Sequence, residues 1–518
     1  MKIAFVYPAY ESLAVEYLSA VLKREGHETR LFYDPQLFDD AFVRIPFLAR
    51  RFARTAQVAR SVVDWNPDIV AFSVVTDEYP WFQEVGRRIR ELSSVPIIAG
   101  GIHVTSAPEE TLAANSFCNF AMRGEGEEAI VELVDAIGRG KVRPDMPNLV
   151  IREGGRIRVN EPRPLIRDLD TIPWADKTMY ENTGLYPSDV YTIMTSRGCP
   201  YKCSFCNSNL LHRVYEGDDN YLRARSVDDV IAELKWAKTV YRPVVVNFYD
   251  EIFAVGMKWF EEFAPRYEKE IGIPYMCCVY PSMVNEKRAE LLGRSGCVKV
   301  DMGVQSVSTQ AGKKKAILNR GESNDQVRDA FARLRANRVA VAAENIVNLP
   351  GETEDDLVEM ARFYNEHRPD VIKFYWLRYY PNTEIVETAR QMGYLSDTDV
   401  RSLDAGAGLG SVMTGGYNPS PMSRQFYNLF VLIKVLPKKT LNAILDRRLW
   451  RFLPPFGFMG VSYAISRMLN RSGANEEAMV RRYLKHYAHH LGLKRFFSPA
   501  AATYSEPPNL NRKQRQAA

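Results

Sequence analysis

Three cysteines crowd the run Arg197-Gly198-Cys199-Pro200-Tyr201-Lys202-Cys203-Ser204-Phe205-Cys206, and no fourth cysteine lies nearby. Three and then two intervening residues let one tight loop turn all three sulfurs onto a common centre. A cuboidal 4Fe-4S cluster normally takes four thiolates, so three leave one iron open to a ligand that is not protein. An open metal position implies chemistry rather than structure. The competing reading is a zinc knuckle, whose fourth ligand would have to be His212, the one local candidate.

The loop follows an apolar run, 191–195, which opens a series of strand candidates at 191–195, 244–249, 275–280, 299–304, 342–349 and 371–377. Helical patterns separate them, which predicts a partial (β/α)6 TIM-like barrel over 189–395 with its chemistry at the C-terminal strand ends. An earlier series, 2–7, 28–33, 69–75 and 96–99, alternates with helices such as 13–25. That pattern predicts a Rossmann-like, doubly wound parallel sheet over 1–147. Residues 148–188 read as a linker with a hairpin, since Glu153-Gly154-Gly155 is a turn signal and Pro162, Pro164 and Pro173 break helices. The expected fold class is therefore α/β, with a mostly helical C-terminal region over 396–499 and a polar, disordered tail over 500–518.

The 518 residues are too many for one core, and 46% hydrophobic with 25% charged residues is an ordinary globular composition. Seven cysteines, an odd number, argue against a disulfide framework. The apolar start stops at Pro8, too soon for a signal peptide, and no stretch approaches the roughly 20 apolar residues that span a bilayer. The expected location is the cytoplasm. The net charge of +5 is unevenly placed: fourteen Lys or Arg stand against three acids between Ser423 and Pro499.

The cysteine loop at a strand end resembles that of the radical S-adenosylmethionine (SAM) superfamily, and the resemblance recurs strand by strand over about 190–390. Asn247-Phe-Tyr-Asp250-Glu251 ends in paired carboxylates where the family holds the methionine ammonium group. Met302-Gly303-Val304-Gln305-Ser306 is similar to the segment that bonds the cofactor's ribose and carboxylate. Asn345-Ile346-Val347-Asn348-Leu349-Pro350-Gly351-Glu352-Thr353 is similar to the turn that lies against the adenine, with Asn348 in place of glycine. Asn382, after the sixth strand, likewise stands where relatives usually have glycine. The resemblance implies a 4Fe-4S cluster on Cys199, Cys203 and Cys206. SAM would lie among Phe205, Asp250, Glu251, Gln305, Ser306, Asn345, Leu349 and Pro350. The chemistry implied is reductive cleavage of SAM to a 5′-deoxyadenosyl radical, with an external electron donor such as a flavodoxin or ferredoxin.

The first domain resembles the cobalamin-binding domain that precedes the radical domain in one subgroup of that superfamily. The segments that carry this are Leu13-Ala-Val-Glu16-Tyr17-Leu18, Asp68 to Thr76, Ile97 to Thr105 and Arg123-Gly124-Glu125-Gly126-Glu127. The expected cobalamin contacts are Ser73, Thr76, Gly100, Gly101, His103, Gly124 and Glu125. Glycines at a strand end would let a bulky group approach the backbone. The loop Pro8-Ala9-Tyr10-Glu11-Ser12 has no histidine, so an Asp-x-His-x-x-Gly cobalt ligand is absent, and a Rossmann-like module without cobalamin is the alternative.

The C-terminal stretches 426–436, 441–453 and 456–469 mix large apolar residues with Lys and Arg. They read either as a helical cap on the barrel or as basic amphipathic helices on the inner face of a membrane. Nucleic acid is disfavoured because the aromatics sit in aliphatic stripes. The whole arrangement resembles anaerobic tetrapyrrole cyclases and the methylases of hopanoids and pigments. The leading expectation is methylation of an unactivated carbon of a hydrophobic small molecule, with SAM used twice. Oxidative cyclisation or another radical rearrangement, with the same cofactors, is the alternative. A zinc-site interaction protein at the membrane surface is the third.

Overall fold

The computed structural model describes residues 1–40, 43–218, 221–307, 313–406, 416–455, 473–493 and 508. The first domain is built on β1 (Lys2–Pro8), β2 (Glu28–Asp34), β3 (Ile69–Ser73), β4 (Ile97–Gly100), β5 (Phe120–Met122), β6 (Leu149–Glu153) and β7 (Arg156–Val159), in the order β2-β1-β3-β4-β5-β6-β7. Pairing is parallel from β2 through β5. The inner strands read as continuous apolar runs because helices cover both faces. Ile3, Phe5, Ile69 and Ala71 feed one core, while Ala4, Val6, Val70 and Phe72 feed the other.

The order in which successive strands are added reverses between β1 and β3, the switch point beyond whose C-terminal strand ends such sheets form a crevice. The loops there are Pro8 to Ser12 and Val74 to Glu78. Strand β5, three residues long, carries too short a pattern to be read from sequence. The Gly154-Gly155 hairpin is not a free connection: β6 pairs antiparallel with β5, and β7 with β6. Leu149 and Val150 are buried against the domain, and Arg152 Nη2 donates to the Asn115 carbonyl at 2.9 Å, which fixes the hairpin to the sheet edge.

The second sheet comprises β8 (Val190–Ile193), then, after the two-residue pair β9 (Ser196–Arg197) and β10 (Arg223–Ala224), β11 (Val245–Phe248), β12 (Tyr275–Val279), β13 (Cys297–Gln305), β14 (Ala340–Val347) and β15 (Val371–Trp376). The six barrel strands are parallel and each lies beside its neighbour in sequence. With no reversal, all helices fall on one side and the sheet curls into a partial barrel. Strand alternation sends Val300, Met302, Val341 and Ala343 outward into the helical core. Inward it leaves Asp301, Glu344, Lys373 and Tyr375, joined by Lys373 Nζ at 2.6 Å from Asp301 and 3.1 Å from Glu344.

The C-terminal helices divide between two places. Pro421–Leu432 and Lys438–Asp446 cap the barrel: Phe430 stacks on Phe374 with centroids 3.9 Å apart, Tyr427 on Trp376 at 5.2 Å, and Arg451 pairs with Glu354 at 2.7 Å. Trp376 therefore faces the helices, not the lumen. Because Phe430 is 1% exposed, Phe430→Ala is expected to lower stability by about 3–5 kcal/mol, measured as a shift in the urea midpoint. Helix Gly473–His490 instead returns to the domain junction. There Arg482 meets Glu11 at 2.6 Å, Lys485 meets Asp189 at 2.8 Å, and Tyr487 donates to Asp40. Arg482 and Lys485, which lie beyond the three stretches read as a cap or as membrane-facing helices, thus serve pairs inside the molecule. The stretch 456–469 and the tail over 500–518, apart from Pro508, lie outside the described residues. No helix among the described residues is long and apolar enough to cross a membrane.

Candidate functional site

The cysteine loop leaves the barrel immediately after β8 and β9. Cys203 is buried, Cys199 and Cys206 are half-buried, and Cys206 opens helix Asn207–Val214. The loop is tied down by backbone bonds to distant segments: Ser204 N donates to the Leu318 carbonyl at 3.2 Å, and Ile385 N to the Ser204 carbonyl at 3.1 Å. Phe205 packs beside Ile317, Ile346, Leu377 and Tyr379, which seats the loop on the last barrel strands. Burial pushes the Cys199 thiol up to about 12. A bound cationic centre reverses that preference, because it deprotonates the thiols that ligate it.

His212 does not complete a zinc knuckle. Its Nε2 lies 2.7 Å from the Cys199 carbonyl oxygen, and its ring packs on Tyr221 with centroids 3.8 Å apart. Among the described residues no three His, Cys, Asp or Glu side chains close on a common metal position. The thiols thus share a loop rather than a closed set of ligands. Three thiols on one loop are the number of protein ligands that a cluster with one open iron takes.

Sequence reasoning missed Arg320. It is 5% exposed, and its Nη1 donates to Cys203 Sγ at 3.7 Å while Nε meets Glu322 at 2.8 Å. Its guanidinium lies 4.2 Å over the Tyr280 ring, which stacks on Tyr201 of the cysteine loop at 3.5 Å. An arginine in Leu318-Asn319-Arg320-Gly321 looks like surface charge in the sequence. Only the return of this segment to the loop reveals it.

The paired carboxylates separate. Asp250 is 2% exposed, and its Oδ1 accepts from Thr195 N at 3.0 Å, Thr195 Oγ1 at 2.9 Å and Ser196 Oγ at 2.5 Å. Burial pushes its carboxyl up to about 6, and Oδ2 has no protein partner. Asp250 therefore braces the exit from β8. Glu251 stays accessible and accepts from Ser208 Oγ at 2.6 Å, just beyond the cysteines. Gln305 ends β13 in the left-handed region at φ 63°, a strained position for a residue with a side chain, and Ser306 is buried beside it. Asn348 and Asn382, standing in for glycines, adopt φ of 67° and 59°, which asparagine tolerates. The turn at Leu349 and Pro350 keeps its shape, with Glu352 N donating to the Leu349 carbonyl at 3.0 Å.

Asn345 is a correction. It is fully buried on the outward face, where Tyr364 donates to its Oδ1 at 2.6 Å and its Nδ2 donates to the Lys373 carbonyl at 3.1 Å. Such a satisfied core amide faces the helices, not a cofactor.

In the first domain, Ser73 and Gly100 pair in register at the ends of β3 and β4, and a Cβ on Gly100 would meet nothing closer than 3.8 Å. This edge is open. Gly101 differs: at φ 98° a Cβ would fall 2.6 Å from Val74 N, so the glycine serves the neighbouring loop rather than ligand approach. His103 is also corrected. It is 0% exposed, Nδ1 lies 3.1 Å from Thr76 Oγ1, the ring packs 4.2 Å from Tyr79, and Nε2 is buried without a protein partner. Burial, with Arg378 nearby, pulls its pKa down to about 4, the behaviour of a neutral core imidazole. Thr76, 2% exposed, is withdrawn with it.

Gly124 and Glu125 turn toward the barrel instead of the crevice. Glu125 N donates to the Tyr215 hydroxyl at 2.7 Å, and its carboxylate meets Arg197 at 3.0 Å and Arg223 at 2.8 Å. Those guanidiniums hold it below the ordinary glutamate value against the effect of burial. Other pairs bring the same strand ends together. Asp77, after β3, meets Arg378, after β15; Asn382 donates to the Ser106 carbonyl at 2.6 Å; Thr192 donates to Glu11 at 2.9 Å. The C-terminal edges of both sheets thus converge on the cysteine loop.

Comparison with known proteins gives the same division. The radical SAM superfamily matches residues 193–364 and the B12 binding domain matches 3–134. An uncharacterized methyltransferase of Pyrococcus horikoshii is 27% identical over 75% of this chain and 83% of its own. The anaerobic magnesium-protoporphyrin IX monomethyl ester cyclase of Rubrivivax gelatinosus is 25% identical over 74% and 68%. Two solved folds are similar. The radical SAM methyltransferase TsrM of Kitasatospora setae, with tryptophan and a SAM analogue, gives TM-score 0.61 at 17% identity over 75% of this chain and 76% of that one. The cobalamin-dependent radical enzyme OxsB, with aqua-cobalamin and SAM, gives 0.64 at 14% identity over 100% and 82%. A strand-end loop of three cysteines on a partial barrel, facing the switch-point edge of a doubly wound sheet, is thus matched domain by domain: the chain carries a radical SAM domain over 193–364 and, ahead of it, a B12-binding domain over 3–134.

Proposed function

We propose that the protein is a cobalamin-dependent radical SAM methyltransferase acting on an unactivated carbon of a small molecule. The observation that carries this is the convergence of the two sheet edges on the cysteine loop, through the Asp77–Arg378, Asn382–Ser106 and Glu11–Thr192 contacts. A cofactor on the open edge at Ser73 and Gly100 and one at the cysteine loop would then serve one enclosed space.

Cys199, Cys203 and Cys206 would hold a 4Fe-4S cluster, which supplies an electron to cleave SAM into methionine and a 5′-deoxyadenosyl radical. Glu251 would meet the methionine ammonium group, the Leu349-Pro350 turn the adenine, and Gln305 and Ser306 the ribose and carboxylate. Arg320, paired with Glu322, would stand beside the cluster at Cys203. The substrate would rest its hydrophobic surface on Tyr249, 66% exposed, and Tyr375, with a polar group at the Lys373–Glu344 pair. An external one-electron donor would supply two electrons per turnover, one for the reductive cleavage of SAM and one to return cobalamin to the state that accepts a methyl group from a second SAM.

The decisive assay incubates reconstituted protein, hydroxocobalamin, SAM and a reductant with candidate small molecules. A product heavier by one methylene unit, with 5′-deoxyadenosine and S-adenosylhomocysteine, is the expected result. 5′-Deoxyadenosine with a product that gains no carbon would instead establish oxidation or ring closure, the second reading, which the 25% identical cyclase relative favours. Absence of corrin absorbance after incubation and desalting would remove cobalamin from the proposal.

A further inference from the structure

We infer that Glu125 is the positioning residue through which the first domain sets the geometry of the cysteine loop. The inference rests on the reading of that loop as the metal-holding one. The excursion carrying the three cysteines leaves the barrel at β9 and returns at β10, a pair only two residues long on each side, with Arg223 directly opposite Arg197. Like charges facing across an antiparallel pair repel. So short a ladder has little else to hold it.

Glu125 supplies the missing anion. Its Oε1 accepts from Arg197 Nη1 at 3.0 Å and Arg223 Nη2 at 2.8 Å, and its Oε2 from Arg223 Nη1 at 3.0 Å and Ile166 N at 3.1 Å. The side chains are withdrawn from water, at 15% for Glu125, 16% for Arg197 and 6% for Arg223. Charge-assisted bonds in such a setting are strong and directional. Glu127 holds the second branch of Arg197.

The backbone of the same residue makes a third attachment. Glu125 N donates to the hydroxyl of Tyr215, which ends the helix that Cys206 begins. Glu125 therefore grips the excursion before Cys199, after Cys206 and at its return to the barrel. The grip on Arg197 reaches Cys199 with little slack, because Gly198, at φ 90°, lies so close to the Tyr221 carbonyl that an added Cβ would stand 2.2 Å away. A change at this edge of the first domain is thereby transmitted to the sulfurs.

The test is hydrogen–deuterium exchange of the purified full chain as isolated, comparing wild type with Glu125→Ala and with Glu125→Gln, which keeps the shape and the Tyr215 bond but drops the charge. Glu128→Gln, at an exposed position, is the control. Amides of 196–206 are expected to exchange about tenfold faster in Glu125→Gln, with β11 to β14 and the control unchanged. Adding Arg223→Met is expected to slow them again, since the repulsion leaves with the second guanidinium. After anaerobic reconstitution, the reduced cluster of Glu125→Gln is expected to show an altered electron paramagnetic resonance spectrum on addition of SAM. Exchange and spectrum equal to wild type in Glu125→Gln, or a loop as loose in the double variant as in the single, would overturn the inference. Wild type that shows the exchange pattern but takes up no iron would refute the metal-loop reading and leave the clamp standing.

Discussion

Cys203→Ala is expected to lose iron and sulfide on reconstitution and to cut reductive formation of 5′-deoxyadenosine to below about one thousandth of wild type. Cys203 is a buried residue, and its thiol is the one that Arg320 addresses from within a network of Glu322, Tyr280 and Tyr201. Removal of one of the three loop thiolates leaves a set too small to hold the cluster. The comparison is Cys118→Ala. Cys118 lies buried in the first domain, where its Sγ reaches the Phe120 carbonyl oxygen at 3.0 Å, and its loss is expected to leave iron content unchanged. Iron and sulfide analysis with product chromatography reads both. A Cys203→Ala protein with full iron, sulfide and 5′-deoxyadenosine would sink the assignment of the loop.

Lys177→Met is expected to destabilise the protein by about 3–5 kcal/mol, read as an earlier first transition in urea. Lys177 is fully buried and its Nζ meets Glu16 at 2.6 Å and Glu11 at 2.8 Å. Burial alone would strip its proton, but the two carboxylates hold its pKa above the ordinary lysine value. Glu11, between Lys177 and Arg482, is held below its ordinary value, while burial pushes Glu16 above its own. Methionine fills similar space without charge, so the loss isolates chiefly the cost of leaving Glu16 buried without its cation, since Glu11 keeps Arg482. Adding Glu16→Gln is expected to recover part of the stability, since it removes one stranded acid. The network joins the loop after β1, the segment before β8 and the C-terminal helix, so its failure is expected to loosen the domain junction before either sheet melts. Unfolding that starts inside a sheet, seen as early exchange of β3 or β13 amides, would contradict this order.

Much of the scaffold was legible because its causes are local. Apolar runs flanked by helical periodicity located β1, β3, β8 and the later barrel strands to within a few residues. The Gly154-Gly155 turn marked its hairpin, and Asn348 and Asn382 take the left-handed angles that their place in glycine positions required. Strand β5 escaped because three residues carry no period. Alternation could say that one of Cys277 and Cys278 faces inward but not which. The structure decides for Cys278, since Cys277 turns outward to lie 4.0 Å from Cys297.

The candidate site was legible only as a set of residue types at strand ends. Asn345 looked like a holder because it begins a motif, yet the parity of β14 points it at Tyr364. His103 counted among the expected cobalamin contacts as the one histidine near the proposed pocket, yet its helix packs it against Tyr79. Glu125 looked like part of the first crevice and belongs to the clamp on the second. By itself the sequence determined two α/β units, their order and a cysteine loop at the end of a barrel strand, because periodicity and turn chemistry act over a few residues. Only the tertiary structure decided which strand ends meet, which of two carboxylates is spent on bracing, and that Arg482 returns across 471 residues to Glu11. Those outcomes depend on burial and on charges made neighbours by folding, and no local pattern along the chain encodes either.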